Sequence, residues 1–126
     1  MPKKILDAPS GPEPLGPYSI ATEANGFVFC SGMVPIDPTT GTGVNGDIGV
    51  QTHQVMRNIG GVLRDVGLTY DDIVKTTIFL ADIGDFPAVN EVYGQYVGDS
   101  KPARSTVEAG ALPGGFHVEI ECIAAR

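Results

Sequence analysis

Two segments of this chain carry apolar side chains on both faces of a predicted β-strand, and this restricts the possible folds. The first is the run Phe27-Val28-Phe29-Cys30, and the second extends from Ile73 to Leu80. A strand that is apolar on both sides needs cover on both sides. The second segment divides its apolar residues between the two faces as follows: Val74, Ile78 and Leu80 on one, Ile73 and Phe79 on the other.

Only two segments have the apolar spacing of a helix, so helices can cover one face of a sheet at most. The spacing predicts a first helix over 50–66, with Asp47 as N-cap and Gly67 after its end, and a second over about 85–97. Inside the first helix, Gly60-Gly61 costs about 1 kcal/mol per glycine relative to alanine. We therefore expect a neighbouring segment to pack closely against these glycines.

The order of elements predicts an α+β fold in one domain, residues 1–126. A first hairpin is expected around the turn Asn25-Gly26, and a second, C-terminal hairpin at the end of the chain. The resulting order is β-β-α-β-α-β-β, with both helices on one face of the sheet. The other face then needs a second copy of the chain, so self-association is expected from the pattern alone. The sequence also predicts an extended arm at 7–17, strands within 18–31 and a loop at 35–47. The strands of the C-terminal hairpin are predicted at 104–109 and 116–124, joined by a loop at 110–115.

Charge and composition exclude several classes of function. The chain has 8 Lys and Arg against 15 Asp and Glu, a net charge of −7, which disfavours binding to nucleic acid and to anionic membranes. The longest uncharged run, Ala24 to Ile36, is too short for a membrane span, and no secretory signal is predicted. Cys30 and Cys122 lie in apolar stretches, which indicates buried free thiols and a cytoplasmic protein. No Cys or His spacing suggests a metal.

The best candidate for chemistry is the polar face of the predicted C-terminal hairpin. If the two strands pair about a loop centred near residues 112–113, Thr106 lies opposite Glu119 and Arg104 opposite Glu121. Two interpretations of this patch remain open. Arg104 and the glutamates form a solvated cross-strand ion pair of little energetic value, or Arg104 binds a substrate carboxylate while a glutamate handles protons on a water.

The other polar candidates are weaker. Ser31 either caps the end of its strand or donates to a ligand, and Tyr18 either packs or lines a pocket. His53 and His117 are expected to be solvated. Neither histidine has a Ser or Cys partner in a nucleophile motif, so the sequence does not support a hydrolase triad.

Several ordered blocks resemble the Rid family of reactive intermediate deaminases, also called YjgF/UK114 and endoribonuclease L-PSP. The similarity spans essentially the whole chain, and it is far more specific for the family than for a substrate. The blocks are Gly16-Pro17-Tyr18-Ser19, the segments 31–38, 72–77, 85–90 and 102–108, Leu112-Pro113, and the segment 118–124.

The resemblance implies a chorismate-mutase-like protomer with a mixed sheet and a homotrimer with clefts between subunits. It also implies hydrolysis of 2-imino or enamino acids, of the 2-iminobutanoate and 2-iminopropanoate type, to 2-keto acids and ammonia without a cofactor or metal. By this resemblance, Arg104 binds the substrate carboxylate, and Glu119 positions the water or relays its proton. The remaining implied site residues are Thr106, whose carbonyl holds the water, and Tyr18, Ser31, Gly32 and Asn90, which line the cleft.

Two positions depart from the family pattern. Thr106 stands where many deaminases have Cys, and Met33 where Gln is frequent, so a thiol and one polar contact near the cleft are expected to be missing. Arg104 favours the deaminase branch, because branches without this Arg are thought not to act on imino acids. The alternatives are an endoribonuclease on single-stranded RNA, a non-catalytic small-ligand sensor or chaperone that uses the same clefts, and a deaminase specialised for one pathway.

Overall fold

The computed structural model describes residues 2–126, and within them a six-stranded sheet carries two helices on one face. No helix in this range is long and apolar enough to cross a bilayer. The helices are α1 (Ile48–Asp65) and α2 (Phe86–Val97). The strands are β1 (Lys4–Leu6), β2 (Ala21–Ala24), β3 (Phe27–Met33), β4 (Ile36–Asp37), β5 (Thr42–Gly43), β6 (Ile73–Leu80), β7 (Ala103–Glu108) and β8 (Val118–Ala125).

The sheet is mixed, as predicted, with strand order β1-β2-β3-β8-β6-β7. All neighbouring strands are antiparallel except β6 and β7, which run parallel because α2 forms the crossover between them. Strands β4 and β5 pair as a small separate ladder inside the predicted loop 35–47. The first hairpin turns at Asn25-Gly26, where both residues have positive φ, as the sequence predicts.

The predicted C-terminal hairpin is wrong, because β6 lies between β7 and β8. Thr106 and Ile120 both pair with Ile78, from opposite sides, and Arg104 and Cys122 both pair with Thr76. Alternation alone cannot distinguish paired strands from strands separated by a third one. Crossing one intervening strand requires about 10 Å, which the connection at 109–117 spans easily. Because β7 and β8 do not pair, the predicted pairing of Thr106 with Glu119 and of Arg104 with Glu121 is also wrong.

The predicted faces of β7 and of the start of β6 are also reversed. Because paired residues share a face, Arg104 and Thr106 lie on the helix side of the sheet and Val107 on the open side. Strand β7 is at the edge, where the helix layer ends, so its helix-side positions are half-buried and tolerate polar residues. An irregularity between Ile73 and Lys75 buries Ile73 and exposes Val74, the reverse of their predicted faces.

The sheet face away from the helices carries exposed apolar side chains, which agrees with the two-sided strands of the sequence. Phe27, Phe29 and Val107 are 43%, 42% and 44% exposed on this face, and Phe79 and Ile123 are half-buried there. The opposite face forms the core together with α1 and α2. Its fully buried side chains include Val28, Met56, Ile59, Leu63, Ile78, Leu80, Val118 and Ile120.

The close packing expected at Gly60-Gly61 is confirmed. A side chain at Gly60 would overlap the Tyr70 ring, with Cζ only 2.7 Å from the position of a Cβ, and a Cβ at Gly61 would lie 3.1 Å from that of Ser10. The Tyr70 hydroxyl donates to the Met56 carbonyl at 2.7 Å. The two glycines thus let the segment after α1 and the N-terminal arm approach the helix backbone.

Cys30 and Cys122 are buried free thiols, as predicted, and they face each other across β3 and β8. The neighbouring Cys30 thiol and burial raise the pKa of the Cys122 thiol well above its usual value. Since only an accessible thiolate reacts, we expect neither thiol to react with Ellman's reagent within minutes at neutral pH in the folded protein. Both should react after denaturation, and fast labelling of one thiol in the native protein would contradict the packing.

Candidate functional site

The predicted site residues divide into two groups that lie on different sides of the sheet. The first group surrounds a cleft of about 540 Å³. It contains Tyr18, Ser31, Gly32 and Glu119, which the sequence singled out, together with apolar residues that it did not. The second group surrounds Arg104 at the end of α2 and includes Asn90.

An irregularity in β3 shapes the first cleft. Between Cys30 and Met33 the register with β8 shifts by one residue, which places Ser31 and Gly32 beside the cleft. The Ser31 hydroxyl donates to the Ser19 carbonyl at 2.7 Å, and the Ser31 N–H donates to the Ile20 carbonyl at 2.9 Å. Ser31 therefore ties the segment that carries Tyr18 to the strand. Met33 is buried in the core and does not line this cleft.

Glu119 is the one carboxylate at this cleft, on the open side of the sheet. Its side chain is half-buried and lies against Gly32, where any Cβ would collide with the carboxylate. Burial raises the pKa of Glu119, and the negative charge of neighbouring Glu121 raises it further. Within residues 2–126, no side chain or backbone N–H forms a hydrogen bond to this carboxylate. A partly desolvated carboxylate of raised pKa is suited to accept a proton from a bound water.

Arg104 has a fixed position on the helix side of the sheet. Its Nη1 donates to Asn90 Oδ1 at 2.7 Å, and its guanidinium carbon lies 5.1 Å from the ring centres of both Phe86 and Tyr93. The Tyr93 hydroxyl is in turn hydrogen-bonded to Thr76 at 2.7 Å in the core. Among residues 2–126 no carboxylate pairs with the guanidinium, and Arg104 lines a cleft of about 410 Å³. Such a group is suited to bind a carboxylate.

Within one chain, the residues of the predicted polar patch do not lie together. Arg104 and Thr106 are on the helix side, whereas Glu119 and Glu121 are on the open side. The cross-strand Arg–Glu ion pair is therefore excluded. The Oγ1 atom of Thr106 is buried and has no hydrogen-bond partner among the described residues.

Sequence reasoning missed the aromatic support of Arg104, although the signal was present. Phe86, Asn90 and Tyr93 are spaced i, i+4 and i+7 in α2, which places them on one helix face. His53 was expected to be solvated but is half-buried, with Nδ1 2.8 Å from the Tyr96 hydroxyl. The signal for this contact is absent from the sequence, because it depends on how α1 and α2 pack.

The comparisons with known proteins agree on one family. The protein-family model described as endoribonuclease L-PSP matches residues 8–126. A RutC family protein of Pyrococcus horikoshii is 47% identical over 97% of this chain and 97% of its own length. The 2-iminobutanoate/2-iminopropanoate deaminase of the mouse is 39% identical over 98% and 92%. Among solved structures, a Rid family protein of Yersinia pestis superposes with a TM-score of 0.95 at 47% identity, covering 99% of this chain and 100% of that chain.

Proposed function

Because this chain belongs to the endoribonuclease L-PSP family, also called the Rid or YjgF family, we propose that it hydrolyses reactive 2-imino acids to 2-keto acids and ammonia. The observation that carries the proposal is Arg104, a guanidinium fixed by Asn90 and two aromatic rings with donors left free for a ligand. The deaminase names of relatives such as the mouse protein support the same activity.

We propose further that the protein is a homotrimer whose sites lie between subunits. Arg104 and Glu119 are on opposite sides of the sheet, so a site that uses both needs Arg104 of one copy and Glu119 of another. The exposed apolar side chains on this face, Phe27, Phe29 and Val107, support such an assembly, because they would gain burial against another copy. In a cyclic trimer, each copy would contribute one half of two different clefts.

In the proposed mechanism Arg104 binds the substrate carboxylate and so orients the C=N carbon. Water adds to this carbon while Glu119 accepts its proton, and the carbonyl oxygen of Thr106 helps to hold the water. Glu119 returns this proton to the nitrogen of the carbinolamine. The C–N bond then breaks, ammonia leaves, and the hydroxyl group loses its proton to Glu119 as it becomes the carbonyl of the 2-keto acid. Little acceleration beyond orientation and proton transfer is required, because the carbon of a protonated imine is already electrophilic. Asn90 positions Arg104, and Tyr18, Ser31 and Gly32 form the wall beside Glu119. No organic cofactor or metal enters these steps.

The test is a coupled assay in which an amino-acid oxidase generates the imine in situ and semicarbazide traps it. The wild-type protein should suppress the semicarbazone and speed the release of the 2-keto acid, whereas heat-denatured protein should not. If the folded, assembled wild type leaves semicarbazone formation unchanged, imine hydrolysis is rejected and ligand binding without turnover takes its place. Cleavage of RNA is disfavoured, because the net charge of −7 opposes binding to phosphates.

The Glu121→Gln variant tests Glu119 as the proton acceptor. The charge of Glu121 helps to raise the pKa of Glu119, so its removal should lower that pKa. Because a carboxylate acts as a base only when ionised, kcat/KM falls as pH falls through the Glu119 pKa. The pH at which kcat/KM falls on the acidic side of its profile, the acid limb, should therefore be lower in the variant. Asp71→Asn removes an exposed charge outside both clefts and is the matched control. A limb that stays in place in Glu121→Gln would contradict this role.

We also propose a cytoplasmic location. The proposal rests on the two cysteines, which are both buried among apolar residues, since proteins of oxidising compartments more often use their cysteines in disulfide frameworks.

A further inference from the structure

We propose that the cleft beside Glu119 selects substrates whose side chain is apolar and of the size of leucine, methionine or phenylalanine. This inference rests on the proposed function and adds the substrate class. The cleft wall in question consists of Leu15, Val34, Ile36 and Phe116, and we call it the apolar wall. Substrates with a methyl side chain would leave this wall uncovered, and substrates with a charged side chain would meet no partner on it.

The direction of the substrate side chain follows from the two groups that hold the rest of the substrate. If Arg104 of one copy holds the carboxylate and Glu119 of another acts at the C=N carbon, the side chain is the only remaining substituent of that carbon. The apolar wall shares the cleft with Glu119. A side chain that points away from Arg104 therefore lies against it.

The charges of the cleft exclude ionised side chains. Glu119 is the only Asp, Glu, Lys, Arg or His among the described residues that line it, and Glu13 lines the cavity that adjoins it. An acidic side chain would be repelled by this carboxylate, and a basic one would have to compete with the water for it. Because an unpaired charge is costly to remove from water, both classes should be poor substrates.

Phe116 forms a rigid end of the apolar wall. Its ring is held between two glycines, since a Cβ at Gly43 would lie 2.6 Å from Cε1 and a Cβ at Gly114 would lie 2.6 Å from Cε2. Gly114 also has a φ of +74°, which disfavours any other residue there. The ring is therefore fixed in place but only half-buried, and it remains available for contact with a ligand.

Leu15 and Tyr18 form the exposed rim of the cleft. Leu15 is 84% exposed and Tyr18 55%, and the Leu15 N–H donates to the Tyr18 hydroxyl at 3.4 Å. This long bond links the backbone of the segment to the Tyr18 side chain. A leucine at the mouth of an apolar cleft gains apolar contact area when an apolar group enters.

The test compares imines made from alanine, leucine, phenylalanine and glutamate in the semicarbazide assay. We expect kcat/KM to be about tenfold higher for the leucine and phenylalanine imines than for the alanine imine, because added methylenes in an apolar pocket give discrimination of this order. The glutamate imine should be the poorest. Leu15→Ser and Phe116→Ser should each remove most of this preference, measured as the ratio of kcat/KM for the leucine imine to kcat/KM for the alanine imine. Ile83→Ser removes an exposed apolar residue outside the cleft and is the control.

The outcomes separate this inference from the proposed function. If the assembled wild type hydrolyses none of the imines, the proposed function fails and the inference fails with it. If it hydrolyses them all but favours the alanine or glutamate imine, only the inference fails. The inference also fails if Leu15→Ser, an exposed substitution that leaves the fold intact, lowers kcat/KM equally for every imine. A preserved melting temperature and oligomer size establish that each variant is folded.

Discussion

Arg104→Ala is expected to lower kcat/KM for 2-imino acids by about a thousandfold, since removing one partner of a desolvated charge pair is among the costliest single changes at a binding site. The side chain contacts Asn90, Phe86 and Tyr93 at the edge of the sheet, and it is not part of the core. The variant should therefore keep its assembly and lose only the carboxylate anchor. The semicarbazide assay gives kcat/KM, and size-exclusion chromatography with light scattering gives the assembly.

Two matched variants separate the geometry of Arg104 from its charge. Arg104→Lys keeps the charge but loses the planar fork that binds a carboxylate through two hydrogen bonds, so it should recover only a small part of the activity. Lys101→Ala removes the other cation of the same cleft and should have a much smaller effect, because Lys101 is exposed. A Lys101 effect equal to that of Arg104 would mean that only the positive potential matters. Turnover retained in Arg104→Ala would reject Arg104 as the anchor.

Local patterns were sufficient to predict the helices and the two-sided strands. The N-cap Asp47 accepts from the Val50 N–H at 3.0 Å, and Gly67 follows the helix end with positive φ, so both helix signals act through local bonds. Because β3 has apolar residues on both of its faces, both faces need to be covered in any strand order. For this reason the exposed face with Phe27 and Phe29 was foreseeable without any knowledge of strand order.

Strand order was not predictable from the same patterns, because alternation does not show whether a third strand lies between two consecutive ones. Strand β6, with Ile78 and Leu80 fully buried, takes the place between β7 and β8. The parallel crossover through α2 places β7 at the edge of the sheet, on the side of β6 away from β8. A pairing scheme based on chain proximity therefore placed Arg104 and Glu119 together on one face, although they lie on two. Arg104 and Glu119 do lie on strands, as predicted, but not on one face of the sheet.

Glu119→Gln is the second variant with a large expected effect. Loss of the proton acceptor should lower kcat by about 10²- to 10⁴-fold, the usual contribution of a general acid or base. Glutamine has nearly the same shape as glutamate and fits against Gly32 in the same way, so binding of a 2-keto acid product should change little. Isothermal titration with the keto acid measures that binding, and a lost binding signal would indicate a structural effect on the cleft.

Mixing the two inactive variants tests whether each site is shared between copies. In a cyclic trimer of Arg104→Ala and Glu119→Gln chains, every mixed assembly contains one cleft with both residues intact, because one junction joins an intact Arg104 to an intact Glu119. Random assembly from equal amounts makes about three quarters of the trimers mixed, so co-expression should restore about one quarter of the wild-type activity per trimer. If both groups acted from the same chain, no combination would restore activity. The placement of Arg104 and Glu119 on opposite sides of the sheet predicts restoration, and inactive mixed trimers would reject the shared site.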